Sequence, residues 1–236
     1  MDGKLHSQYL EAMGIQRWLA RAAAPAPAGS AEPAADTPDD AVNSLDWPEL
    51  QVRVASCTRC VLHKTRTRTV FGVGDRHADW LVIGEAPGAD EDRQGEPFVG
   101  RAGLLLNEML FAAGFRREQV YIANVLKCRP PNNRNPLPEE VASCRGYLDR
   151  QIALVRPKII LAVGGIAANN LLQCDEKVGR LRGIVHCYGE QQIPLLVTYH
   201  PAYLLRSPLE KRKVWEDLQF ARQVYLEQAD GLAGQQ

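Results

Sequence analysis

Four of the six cysteines have neighbours and spacing that are typical of metal ligands. Cys57 and Cys60 form a Cys-x-x-Cys pair, and Cys128 and Cys144 follow after steps of 68 and 16 residues. Three of the four lie beside Lys or Arg in polar sequence, which argues against small buried apolar side chains. Four thiolates are a complete ligand set for tetrahedral zinc or for a 4Fe–4S cluster. The spacing leaves both metals open, although it is unlike that of a compact zinc finger.

An acidic, glycine-rich segment follows the apolar run at residues 80–83 and is a second candidate site. It reads GEAPG, continues through ADED, and reaches GEPFVG, all within residues 84–100. Glycine and proline fix an exposed turn whose backbone N–H groups can point at a ligand. Carboxylates in such a turn can hold a water or stabilise a cation. Taken alone, however, the segment is better explained as an acidic loop that caps a helix.

Strands and helices alternate from about residue 45 onward, and they must position both candidates. Short apolar runs predict strands at residues 80–83, 120–125, 158–163 and 193–198. Helical patterns occupy residues 102–113, 138–155, 166–172 and 209–228. This alternation predicts an α/β fold with a parallel sheet between helices, in which functional side chains gather at the carboxyl ends of the strands.

Three motifs, in order and together with the four cysteines, resemble the family 4 (iron–sulfur) uracil-DNA glycosylases: GEAPGADEDRQGEPFVGRAG, NVLKCRPPNNRNPLP and HPAYLLR. The resemblance covers about residues 50–225. It implies a three-layer α/β/α fold with a central four-stranded parallel sheet and a structural 4Fe–4S cluster on the cysteines. It also implies hydrolysis of the N-glycosidic bond of deoxyuridine, which releases uracil and leaves an abasic site for base excision repair. A neighbouring branch traps uracil on a histidine in an inserted loop; that insertion is absent here, so turnover is expected.

The resemblance assigns three side chains to the base. His200, just after the last predicted strand, is expected to donate to uracil O2 as negative charge develops there. Asn124 ends the second predicted strand, and its amide can pair with the N3–H and O4 of uracil, a pattern that cytosine reverses. Phe98 is expected to stack on the uracil ring. The alternatives are a surface histidine, an asparagine that caps a turn and a core phenylalanine.

The residue that handles the water or the sugar cation is less determined. The archetypal uracil-DNA glycosylases carry an aspartate in the turn after the first strand, and Ala86 stands at that position. Glu85, at the strand end, is the first catalytic candidate, and Glu91 is the second. The backbone from Glu85 to Pro87 is expected to add N–H contacts to the base.

Two segments are candidate DNA contacts. Leu205 and Arg206 suit insertion into the gap that a flipped base leaves, although the start of a helix packed on the core would look similar. Arg66 lies in a basic strip that suits phosphate contact, and a solvated loop is the alternative. The other basic residues assigned to this strip are Arg59, Lys64, Arg68, Lys127, Arg129 and Arg134.

Composition divides the chain. Residues 22–44 are rich in Ala and Pro and predict a disordered linker, behind a leader at residues 1–21 that either docks on its own domain or binds a repair or replication protein. The glycosylase domain is expected at residues 45–228, with a flexible tail at 229–236. Residues 1–50 hold three basic and eight acidic side chains, and the remainder holds 25 and 20, which is compatible with binding nucleic acid.

No apolar run approaches the roughly 20 residues of a membrane span, and the N-terminus lacks a signal-peptide pattern. A cytoplasmic monomer with reduced cysteines is therefore expected, in which Cys174 and Cys187 are ordinary thiols. Two rival functions remain open at this point. One is a catalytically inactive, metal-stabilised DNA-binding module, and the other is a glycosylase for another deaminated base such as hypoxanthine.

Overall fold

Six strands form one sheet in the computed structural model, which describes residues 40–233. They are β1 (Val73–Gly74), β2 (Trp80–Gly84), β3 (Tyr121–Asn124), β4 (Ile159–Val163), β5 (His186–Tyr188) and β6 (Ile193–Thr198). Their order across the sheet is β1-β3-β2-β4-β6-β5. The four central strands are parallel, and β1 and β5 pair antiparallel at the edges. The predicted α/β fold is confirmed, and the four predicted strands are its parallel centre.

The edge strands correct the expectation of a four-stranded sheet. β1 has two residues and β5 has three, and both are only partly covered. Short, half-exposed edge strands need no continuous apolar run, because one side of each faces solvent. By contrast, every residue of β2, β3 and β4 is buried, which is why those strands are evident in the sequence.

Nine helices occur within residues 40–233. They are α1 (Asp40–Asn43), α2 (Trp47–Ala55), α3 (Ala89–Gln94), α4 (Arg101–Ala112), α5 (Pro138–Val155), α6 (Gly165–Leu172), α7 (Val178–Leu181), α8 (Pro201–Arg206) and α9 (Lys211–Ala233). Short 3-10 helices lie at Val61–Lys64, Arg117–Gln119, Pro131–Asn133 and Pro208–Glu210. Every helix predicted from sequence periodicity is present, as α4, α5, α6 and α9.

The sheet separates two apolar cores, which makes the fold a three-layer α/β/α sandwich. Alternate residues of β2 illustrate this: Leu81 and Ile83 join the core beneath α5 and α6, while Trp80 and Val82 join the core beneath α4 and α9. Successive side chains of a strand point to opposite faces, so a strand covered on both sides is apolar throughout.

No helix among the described residues is both long enough and apolar enough to cross a bilayer.

A third apolar cluster lies around the four candidate ligand cysteines and changes the domain boundaries. Val42 of α1 is 1% exposed within it, so residues 40–43 of the expected linker form a helix that packs on the body. At the other end, α9 runs to Ala233, so the first residues of the expected tail are helical. The leader, the rest of the linker and residues 234–236 lie outside the described residues.

Candidate active site

The carboxyl ends of the parallel strands border one cleft, as expected for such a sheet. Eight of the residues that the sequence assigned to base binding, catalysis or DNA contact line it: Glu85, Ala86, Pro87, Glu91, Phe98, Asn124, His200 and Arg206. Leu205 and the residues of the basic strip do not. Leu205 is 37% exposed beside the cleft, whereas the neighbouring Leu204 is 1% exposed and packs on the core. Arg66 lies at a second cavity, described below.

Gly84 makes the centre of the cleft possible. It pairs with Asn124 across β2 and β3, and the pairing continues as Leu126 N donates to the carbonyl of Glu85 at 3.0 Å. A Cβ atom on Gly84 would lie 2.5 Å from Asn124 Oδ1 and 2.6 Å from Phe98 Cζ. Only glycine therefore allows the amide and the aromatic ring to meet above this strand end.

Asn124 presents an acceptor without a partner. The residue is 2% exposed, and its Oδ1 atom is buried with no hydrogen bond among the described residues. A buried acceptor left unpaired costs about 1–3 kcal/mol, so such atoms mark places where a ligand completes the structure. The atom can accept a hydrogen bond from a ring N–H placed in the cleft.

His200 is held as one tautomer by the helix that it begins. Its Nδ1 accepts from the backbone N–H of Ala202 at 3.1 Å, which caps α8. An acceptor nitrogen carries no proton, so the neutral imidazole bears its proton on Nε2 and can donate there. Burial lowers the pKa of His200 to about 4, with the charge of Arg206 acting in the same direction and that of Glu91 opposing it. The ring is therefore a neutral donor near pH 7, and it stacks on Phe98 with centroids 5.6 Å apart.

The two carboxylates proposed for catalysis have different surroundings. Glu91 accepts three backbone hydrogen bonds, from Gly88 N at 3.1 Å, Val99 N at 3.0 Å and Gly100 N at 3.2 Å. No hydrogen bond to the Glu85 carboxylate occurs within residues 40–233, and burial raises its pKa. The geometry favours Glu85 as the group that acts on a ligand, because Glu91 is engaged in bracing the loop.

The neighbouring acidic residues are also structural. Asp92 is buried and accepts from the backbone N–H groups of Thr67 and Arg68, and Asp90 forms an ion pair with Arg93. The alternative of an acidic loop that caps a helix is thus correct for part of the segment, since Glu91 also closes the first turn of α3.

Two asparagines at the cleft were not assigned to the site from the sequence. Asn133 and Asn135 line it, as does Tyr203 of the HPAYLLR motif. Asn133 lies in a turn with φ +54°, a conformation that asparagine tolerates better than most residues. The run PPNNRNP was a signal for such a turn, although not for its position at the cleft. Leu209, shortly after α8, is a further apolar side chain and is 92% exposed.

The four cysteines that were predicted as ligands line one cavity behind the cleft. They come from the end of α2, the following turn, the loop after β3, and α5. Apolar side chains of Val54, Leu62 and Leu126 complete its wall. No three His, Cys, Asp or Glu side chains in the described part of the chain are arranged to hold a single metal ion.

Hydrogen-bond donors and buried charge characterise this cavity. Arg66 donates to Cys128 Sγ at 3.1 Å, and the backbone N–H of Lys127 donates to Cys144 Sγ at 3.3 Å. Burial raises the pKa of Cys60 and Cys128 and raises that of Cys144 to about 12. Thiolates in such a place need a cationic group between them. The donor set and the cavity therefore fit a metal cluster with sulphur ligands.

Several members of the predicted basic strip are engaged in this region. Lys127 is 1% exposed, and its Nζ donates to the Asn124 carbonyl at 2.8 Å and to Gln151 Oε1 at 2.6 Å. The expectation that Lys127 contacts phosphate is therefore wrong, because the side chain is enclosed between β3 and α5. Arg66 also donates to the carbonyl of Ala55 at 3.2 Å, so its guanidinium joins two elements of the cavity wall.

Comparisons with known proteins agree with the geometry. The profile described as Uracil DNA glycosylase superfamily matches residues 71–219. A type-4 uracil-DNA glycosylase of Archaeoglobus fulgidus is 47% identical over 71% of this chain and 86% of its own length. Type-4 enzymes of Pyrobaculum aerophilum and Thermotoga maritima are 43% and 45% identical, over 74% and 72% of this chain and 92% and 90% of their own lengths. These matches confirm the resemblance of the motifs, and the chain belongs to the uracil DNA glycosylase superfamily, in its type-4 branch.

Proposed function

We propose that the protein is a monofunctional DNA glycosylase that hydrolyses the N-glycosidic bond of deoxyuridine in DNA, releasing uracil and leaving an abasic site for base excision repair. One observation carries the proposal. Asn124, with its buried and unsatisfied Oδ1, and the neutral imidazole of His200 line the same cleft as the aromatic ring of Phe98. An acceptor, a donor and a stacking surface are what a pyrimidine with an N–H edge and carbonyl oxygens requires.

Recognition begins outside the stack. A uracil inside a duplex is inaccessible, so the nucleotide is flipped out at a cost of about a few kcal/mol or is bound from a single strand. In the cleft, Asn124 Oδ1 accepts from N3–H and its amide nitrogen donates to O4. Cytosine has an acceptor at N3 and a donor at N4. Asn124 Oδ1 would then face another acceptor and its amide nitrogen would face another donor, so neither hydrogen bond could form. A buried polar site of this kind rejects the wrong base by about 10⁴-fold or more.

Bond breakage places positive charge on the sugar and negative charge on the base. His200 Nε2–H donates to uracil O2, which stabilises the departing anion. The Glu85 carboxylate lies at the strand end without a competing hydrogen bond among the described residues, and it stabilises the sugar cation and holds the water that adds to C1′. The backbone of Ala86 and Pro87 borders the base beside it.

The assignment of Glu85 predicts the acid side of the pH profile. Glu85 must be ionised, and its pKa is raised from the usual 4.5, so excision is expected to fall as pH decreases through that raised value. The pKa of His200 is about 4, so His200 stays neutral over the same interval. Single-turnover rates between about pH 4.5 and 8 should show this acid limb in the wild type and lose it in Glu85→Gln, whose plateau should be roughly 10²–10⁴-fold lower. If Glu85→Gln showed the same fall in rate at low pH, the fall would be due to a group other than Glu85.

The metal site is proposed to hold a structural 4Fe–4S cluster on Cys57, Cys60, Cys128 and Cys144. Support comes from the shared cavity, the two hydrogen bonds to sulphur and the type-4 relatives. When bound, the cluster supplies no step of the hydrolysis. The cysteines would instead connect α2, α5 and the loop after β3 through the cluster. This loop begins directly after Asn124, so the cluster would also stabilise the position of that residue.

DNA is proposed to lie across the mouth of the cleft, against Leu205, Arg206 and the exposed part of the basic strip. Lys64 is exposed in that strip, whereas Arg66 supports the cysteine cavity. Lys64→Glu is therefore expected to weaken binding of a uracil-free oligonucleotide. It should also reduce the slope of log affinity against log salt concentration by the equivalent of about one to two phosphate contacts. Fluorescence anisotropy at several salt concentrations measures this, with Arg222→Glu on the exposed side of α9 as control. If the salt dependence of DNA affinity had the same slope in the two variants, Lys64 would not be part of the DNA interface.

The remaining assignments rest on the sequence. We expect a cytoplasmic monomer whose N-terminal leader, residues 1–21, is the contact for a repair or replication protein. The leader lies outside the described residues.

A panel of matched oligonucleotides tests the proposed reaction. Substrates that differ only in one base (uracil, cytosine, thymine or hypoxanthine) are incubated with the protein, and free bases are separated by chromatography. Release of uracil alone is expected. Binding of all four without release would indicate an inactive DNA-binding module, and preferential release of hypoxanthine would indicate a different deaminated base.

A further inference from the structure

The turn that carries Phe98 is conformationally strained. Phe98 has φ +54°, in the left-handed region that large side chains rarely occupy. The ring is nevertheless 6% exposed, lines the cleft and stacks on His200. A strained backbone persists only where the surroundings hold it, and such positions concentrate at functional sites. The turn must therefore be held by identifiable contacts.

Two charged side chains hold this turn through its backbone. Glu91 accepts from the N–H groups of Val99 and Gly100, as described above. Arg117 acts on the carbonyls: its Nη1 donates to Phe98 O at 3.3 Å, and its Nη2 donates to Pro97 O. The N–H groups and carbonyls on either side of the Phe98 ring are thus bound by opposite charges.

Further contacts fix the position of Arg117 and of the carbonyl that it binds. Arg117 Nη1 also donates to Asn107 Oδ1 of α4 at 3.1 Å, which orients the guanidinium. On the same helix, a Cβ atom at Gly103 would lie 1.8 Å from Phe98 O, so the helix backbone packs directly on that carbonyl. Arginine presents several N–H donors in a rigid plane, whereas lysine offers only a point charge. The two carbonyls therefore need an arginine at this position.

We propose that Arg117 is a positioning residue for excision: it holds the Pro97–Phe98 peptide so that the Phe98 ring forms the floor on which the base stacks. The inference rests on the proposed function and extends it to a residue outside the three motifs. Arg117 does not line the cleft, so its effect passes through Phe98. Removing it frees the strained turn and lets the ring leave the plane that faces His200.

A double-mutant cycle tests this coupling. Arg117→Met is expected to lower kcat for uracil excision by roughly 10- to 100-fold and to weaken inhibition by free uracil in proportion. Affinity for an abasic oligonucleotide should stay unchanged, because no phosphate contact is lost. In a Phe98→Ala background, the same replacement should cost less than about threefold, since the ring is already absent. Arg116→Met is the matched control, because the adjacent Arg116 is exposed and its hydrogen bonds with Gln119 use only the backbone of Arg116.

Additional variants and structures keep the test decisive. Arg117→Lys preserves the charge but not the planar pair of donors, so it should share the loss even if Arg117→Met is poorly folded. Crystal structures should show that Phe98 leaves the positive-φ region or that its ring moves in the Arg117 variants. Additive losses with Phe98→Ala, or an unchanged Phe98 in those crystals, would overturn the inference. Failure of the wild type to release uracil would overturn the proposed function, and the crystallographic comparison would still decide the role of Arg117.

Discussion

Cys144→Ala is expected to abolish iron binding and to lower the free energy of unfolding by more than about 4 kcal/mol. Cys144 is 8% exposed in α5 and lines the same cavity as the three other cysteines. Its loss leaves the proposed cluster with three cysteine ligands and removes the link from α5 to the other two segments. For a domain of this size, the midpoint of thermal unfolding should fall by roughly 10 °C or more. Metal analysis and calorimetry of the purified protein measure the two effects.

The control for this experiment is another cysteine of the same chain. Cys187 is exposed on the edge strand β5 and is remote from the cavity, so Cys187→Ala should retain iron and unfold at the wild-type temperature. A wild-type preparation with stoichiometric zinc and no iron would overturn the cluster assignment. A Cys144→Ala protein as stable as the wild type would show that the four cysteines do not support the fold.

His200→Ala is expected to lower kcat by roughly 10²–10³-fold with little change in KM, because the donor acts mainly as charge develops on the leaving base. The same replacement removes the acceptor that caps α8, so it should also cost about 0.5–2 kcal/mol of stability. The two effects must be separated, because a loosened helix would displace Arg206 and Tyr203 as well.

His200→Asn provides that separation. Asparagine is a good N-terminal cap, so this variant should recover most of the stability that the alanine variant loses. It does not place a donor where Nε2–H lies, so kcat should stay as low as in His200→Ala. Single-turnover rates and unfolding midpoints of both variants decide the matter. Recovery of excision in the asparagine variant would assign the loss to the helix cap and not to the imidazole.

Much of the fold was evident from sequence for a physical reason. The central strands are buried on both faces, so each is a continuous apolar run that ends at a glycine or polar residue. The edge strands lacked that signal, and the helix α1 was hidden in Ala- and Asp-rich sequence, where Val42 packs on the body. Packing of one side chain against a distant helix leaves no local pattern.

The cleft residues could be predicted because they belong to motifs that begin at or just after strand ends. The separate roles of the individual residues could not be predicted in this way. The sequence ranked Glu85 before Glu91 by its place at the strand end, and only the folded turn shows that three backbone N–H groups converge on Glu91. The sequence assigned Lys127 to a basic surface, yet its side chain is enclosed beside Gln151. Arg117 lies 19 residues from Phe98, in a charged stretch with no motif, so its contact depends on tertiary structure alone.

A crystal structure with free uracil bound would locate the base in the protein. We expect one uracil in the cleft, stacked on Phe98, with N3–H on Asn124 Oδ1 and O2 on the Nε2 of His200. Uracil bound at another place, or a ring in the cleft that reaches only one of the two polar side chains, would contradict this expectation.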